Sequence, residues 1–186
     1  MVLPKSPFDM TRSETWLWTI CELEQTLTRA KQKEQDGNAF SGLTRNLAPL
    51  IDLTRQIAST KYRQSYRAGT SLKETLLIST AAQHSLEPDD PHISVSIERT
   101  PHGTLGFCIL YCEGGEANET MQALVKTYGT DDCQVIESNL RRDLPNFYYP
   151  CEYRDAWQTL QPLMVRLWNE THSATENPGR SGAVAP

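Results

Sequence analysis

Ile93-Ser94-Val95-Ser96-Ile97-Glu98-Arg99-Thr100, then Pro101-His102-Gly103, then Thr104-Leu105-Gly106-Phe107-Cys108-Ile109-Leu110-Tyr111-Cys112: residues 93–112 decide the fold class. The first stretch alternates apolar and polar side chains with the period of two that puts every second residue on one face of a strand. Pro101 presets the first turn angle and Gly103 can adopt the left-handed conformation that a three-residue hairpin loop requires. Pairing Thr100 with Thr104 sets Ile97 opposite Phe107, Val95 opposite Ile109 and Ile93 opposite Tyr111. A slip of one residue would turn all six apolar side chains to the other face.

N-terminal to this hairpin the period lengthens to that of a helix. Thr11 and Glu14 have capping-box spacing, and Trp16, Ile20, Leu23, Leu27 and Ala30 form one stripe, predicting a helix over 13–35 that stops at Gly37. Leu47, Leu50, Ile51, Ile57 and Ala58 predict a second helix over 46–68, antiparallel to the first, with Pro49 in its first turn. Ser71 and Glu74 repeat the capping-box spacing and predict a third helix over 71–84. C-terminal to the hairpin, the pattern predicts a helix over 117–128, a strand over 132–138 and a last helix over 152–170 that Pro162 must kink or restart.

The expected architecture is therefore α+β, a small and mainly antiparallel sheet (93–100, 104–112, 132–138) with helices on its apolar face. The expected organisation is an irregular lead-in over 1–12, a single domain over 13–171 with a helical part to 85 and a sheet-containing part from 86, and a flexible tail over 172–186.

Composition narrows the classes of function. The 186 residues are 38% hydrophobic and 22% charged, as in an ordinary globular chain. There is no apolar run of membrane-span length, and the first ten residues have no signal-peptide character. Five cysteines, an odd number, fit reduced thiols in the cytoplasm better than a disulfide framework.

The net charge of −5 conceals an asymmetry: residues 37–73 hold six basic side chains against Asp52 alone, and residues 74–137 hold two against eleven acids. On a helix over 46–68, Arg63 and Arg67 fall opposite the apolar stripe, with Arg55, Tyr62 and Tyr66 beside them. Arginine next to tyrosine suits an acidic protein partner or a phosphate backbone with stacked bases. It also suits a plain solvated face. A second candidate surface is the aromatic and arginine-rich segment with Arg141, Arg142, Tyr148 and Tyr149.

Catalytic and metal signatures are weaker. Cys108 and Cys112 are four apart on a strand, roughly 13 Å at about 3.3 Å per residue, too far to share a metal ion. Glu87, Asp89, Asp90 and His92 are explained as a proline-stiffened connector, and Gly114-Gly115 is flanked by glutamates that would repel a phosphate. Cys151 follows Pro150 at an expected helix start, where backbone N–H groups would lower a thiol pKa, but no histidine is tied to it. Neither a cofactor nor a metal is expected. The primary expectation is a non-enzymatic intracellular binding protein: an adaptor, assembly factor, inhibitor or complex subunit. The alternatives are a nucleic-acid-binding subunit of a larger complex and a thiol enzyme centred on Cys151.

Overall fold

The computed structural model describes residues 6, 9–37, 46–71, 74–82, 90–99, 103–112 and 148–176. The helix expected over 117–128, the strand expected over 132–138, and Arg141 and Arg142 lie outside them. The fold is α+β. Two helices, α1 (Arg12–Gln35) and α2 (Ala48–Ala58), and a 3₁₀ turn (Lys61–Gln64) precede strands β1 (Arg67–Ser71), β2 (Thr75–Ser79), β3 (His92–Arg99), β4 (Leu105–Cys112) and β5 (Tyr148–Cys151). A 3₁₀ turn (Tyr153–Asp155) then leads into α3 (Ala156–Glu176). The strands form one antiparallel sheet in the order β1-β2-β3-β4-β5.

The β3–β4 hairpin has the register that its alternation dictates: Ile93 with Tyr111, Val95 with Ile109, Ile97 with Phe107. Leu76 and Ile78 of β2 join the same face through Val95 and Ile93. The helices bury this face. Trp16 and Leu23 of α1, Leu50, Ile51, Leu53 and Ile57 of α2, and Leu160, Leu163, Met164 and Leu167 of α3 share one core cluster with Ile93, Val95, Phe107, Ile109 and Tyr111. The first two helices thus pack on the sheet and do not project as a hairpin. Helix α1 begins with the expected capping box between Thr11 and Glu14.

Four expected elements differ. The second helix ends at Ala58, because Thr60 turns the chain: its hydroxyl donates to the Ile57 carbonyl and accepts from the Tyr62 N–H. Residues 61–64 are therefore a 3₁₀ turn, and Arg67 lies on a strand. The third helix, 71–84, is not formed. Its Ser71–Glu74 spacing closes a tight turn, with the Glu74 N–H donating to the Ser71 carbonyl, and Thr75–Ser79 pairs back on β1. Two strands thus precede residue 86, in the part expected to be helical. Finally, Tyr148–Cys151 is an edge strand instead of a loop, and α3 continues through Glu176 with Pro162 inside it, past the expected start of the tail.

Both sheet edges are partly blocked. Along β1 the outward Ala68 N–H donates to Thr15 Oγ1 at 3.1 Å, and Trp16 Nε1 donates to the Tyr66 carbonyl at 2.9 Å, so α1 side chains occupy positions another strand would take. At the opposite edge, β5 carries Pro150, which has no N–H to offer. Arg67 is 8% exposed and ties the sheet end to neighbouring chain: Nε donates to Ala81 O, Nη1 to Met10 O and Nη2 to Ala82 O. Desolvation, with Arg12 nearby, lowers its pKa. No helix among the described residues is long and apolar enough to cross a membrane.

Candidate functional site

The 3₁₀ turn Lys61–Gln64 is held from below by aromatic packing and leaves its charged side chains in solvent. Tyr62 is half-buried, 5.9 Å from the Tyr66 ring and edge-on to Trp157 of α3 at 5.8 Å. Tyr66 is buried and packs on Trp168, and its hydroxyl donates to the Met164 carbonyl at 2.5 Å. Burial, with Tyr62 beside it, raises the Tyr66 phenol well above its ordinary pKa, so it remains a donor at any physiological pH. Trp168 stacks on His172 at 3.7 Å.

Between the turn and α3 lies an open cleft of about 470 Å³ lined by Lys61, Tyr62, Gln64, Ser65, Tyr66, Val165 and Trp168. No carboxylate of the described residues lines it. Side chains three apart eclipse in a 3₁₀ turn, which is why Lys61 and Gln64 both face the cleft, whose lining does not include Arg63. Ser13 Oγ of α1 donates to the Arg63 main-chain carbonyl at 3.5 Å, the outer limit of a hydrogen bond. Leu17 lies one helical turn along from Ser13 on the same stripe. Leu17 is 65% exposed and Val165 44%, the large hydrophobic residues most open to water among those described. Lys61 and Arg63 are exposed, and among the described residues neither has an ion-pair partner.

The five residues expected to share a basic helix face are dispersed. Tyr62 and Arg63 sit at the turn. Tyr66 and Arg67 are in the interior, because the chain is a strand where a helix would have kept Arg67 in solvent. Arg55 is on α2, paired with Glu24 and Asp52. In the second expected surface, Tyr148 and Tyr149 are on β5, and Tyr149 is half-buried against the core. Of the cleft residues, Lys61 is legible in sequence only as one of the six basic residues of 37–73 and Trp168 only as one of a group of aromatics. Val165 is an apolar residue off the Leu160-Leu163-Met164-Leu167 stripe.

Neither Cys112 nor Cys151 is an activated thiol. Cys151 closes β5 and does not start a helix. Burial raises its pKa, a hydrogen bond with Thr159 lowers it and the Asp155 charge raises it, leaving a net increase. Sheet register sets His92 opposite Cys112, one step beyond the Ile93–Tyr111 pair. His92 Nδ1, however, faces the Asp90 carbonyl at 3.0 Å, and burial pushes the Cys112 thiol up to about 11. No disulfide joins the described cysteines, and no cluster of three metal-ligating side chains occurs among the described residues. Comparison of the chain with protein-family models, with curated proteins and with solved structures finds no match.

Proposed function

We propose that this chain is a non-enzymatic protein-binding module that docks a partner at the turn Lys61–Gln64 and the aromatic cleft beside it. The observation that carries the reading is the coincidence of two exposed cations on the turn, with no ion-pair partner among the described residues, and the exposed apolar side chain of Val165 in the adjoining cleft. Interfaces use this combination, an apolar and aromatic centre with arginine at its margin. The cysteines, raised in pKa where a shift is resolved and without disulfides among those described, suit a reducing, cytosol-like compartment.

A nucleic-acid role loses support with the basic face. Of the arginines that would have tracked a backbone, Arg67 is spent on three carbonyls and Arg55 on two carboxylates. A thiol enzyme loses support because Cys151 is raised in pKa, not lowered; iodoacetamide should modify it at neutral pH no faster than a model thiol, which peptide mapping measures.

The docking reading is tested by purifying the tagged chain from its native source with nuclease present. Lys61→Glu with Arg63→Glu should reduce copurifying protein about tenfold, while Arg55→Glu should leave most of it bound. Equal recovery with both variants would remove this surface, and loss of all partners to nuclease would replace the protein-docking role with a nucleic-acid one.

A further inference from the structure

We infer that the occupant of this surface is a short acidic segment of another protein, carrying one bulky apolar side chain that enters the cleft and carboxylates that reach Lys61 and Arg63. The inference rests on the docking reading and specifies its partner. The cleft is the apolar half of the site. Tyr62, Trp168 and Val165 contribute to its lining together with Tyr66, which is itself buried. Its volume falls in the ~300–1,000 Å³ range of small ligand clefts, and Lys61, Gln64 and Ser65 supply the polar groups that would orient an occupant.

The charged half spans the turn. Lys61 lines the cleft and Arg63 is exposed outside its lining, so a segment that meets both cations must extend beyond the cleft. With no carboxylate of the described residues in the cleft lining, a peptide carboxylate meets no like charge from them there. Strand addition is hindered at the start of the described β1 edge, where the Tyr66 carbonyl and the Ala68 N–H are taken by Trp16 and Thr15.

A single-stranded nucleic acid fits less well. Neutralising two phosphates gives a salt slope of only about −1.4 and little affinity. The rings are also engaged already: Trp168 stacks on His172, and Tyr62 packs on Tyr66 and Trp157.

Selection of a random-peptide display library on the immobilised chain tests the inference. Enriched peptides should carry at least two Asp or Glu within a few residues of a Trp, Phe or Leu. Synthetic versions should bind about tenfold more weakly to Lys61→Glu with Arg63→Glu and to Val165→Glu, and equally to Val165→Ile. Replacing their carboxylates by amides should cost a similar factor. All three positions are exposed, and unchanged thermal melting would verify that the variants fold.

Enriched peptides without acidic bias, peptides indifferent to these substitutions, or no enrichment would overturn the inference, as would displacement of the peptides by oligothymidylate. A dimer of this chain, detected by sedimentation and dissolved by the Lys61/Arg63 reversal, would also overturn it, because the occupant would then be a second copy. If the selection fails while the native complex is still lost on charge reversal, the docking surface stands with another occupant. If both fail, the docking reading falls as well.

Discussion

Two clefts on the helical side of this protein draw on the same basic stretch and treat it in opposite ways. Between α1 and α2 lies a groove of about 350 Å³ with Leu27 and Ile51 among its apolar residues and Glu24, Lys31, Asp52 and Arg55 around it. Arg55 bridges Glu24 and Asp52 there, so both acids of the groove are taken up by one arginine, while Lys31 stays exposed. The second cleft, beside the turn Lys61–Gln64, has a cation and no carboxylate of the described residues in its lining. Only six residues separate Arg55 from Lys61. A local excess of six basic residues over one acid therefore does not define a binding face. What matters is whether the folded chain supplies each charge with a partner, and in the second cleft the described residues do not.

The comparison can be sharpened or broken by substitution. The largest effect is expected at Arg67, which belongs to the same basic stretch but serves as a strut. Arg67→Met leaves the Met10, Ala81 and Ala82 carbonyls without a donor and should cost about 3 kcal/mol of stability in urea denaturation. Next comes the reversal of Lys61 and Arg63, expected to weaken docking by about tenfold, near 1.4 kcal/mol, with no change in unfolding. If that variant unfolds more readily, the two cations have structural partners and the contrast between the clefts is lost.

Tyr66→Phe removes the donor to the Met164 carbonyl and should cost about 1 kcal/mol while leaving the cleft walls in place. The smallest effect is expected in the paired groove. Glu24→Gln should change stability by less than about 0.5 kcal/mol, since both ends of its ion pair are more than a third exposed. A larger loss would mean that the α1–α2 pairing organises the fold and is not merely a neutralised surface.

How much of this was legible in sequence depends on how far each local signal excluded its rivals. The β3–β4 register was legible to the residue, because alternation over two eight-residue strands and the loop between them admit one pairing that buries all six apolar side chains. The start of α1 was legible because a capping box and a long stripe agree. The stretch from 59 to 84 was not. Thr75-Leu76-Leu77-Ile78-Ser79 is a short apolar run that suits a strand or a buried helix equally. Ser71–Glu74 has a three-residue spacing that serves a turn as well as a helix cap.

Thr60 was the overlooked stop, a β-branched residue whose hydroxyl can close one helical turn and open the next. That misreading also displaced the site. A helix through Arg67 groups Arg63 with Arg67, whereas the true turn groups Lys61 with Gln64 and brings in Val165 and Trp168 from a helix a hundred residues away. Contacts at that separation come from the packing of α3 on the sheet, which no local pattern around residue 61 records.

The most direct test of the docking claim is site-specific photo-crosslinking in the native source, with a benzophenone amino acid placed at Val165 or, as control, at Thr28 of the paired groove. The account predicts a discrete adduct with an acidic protein from position 165, absent when Lys61 and Arg63 are reversed, and none from position 28. Adducts of equal yield from both positions, or from position 28 alone, would contradict it.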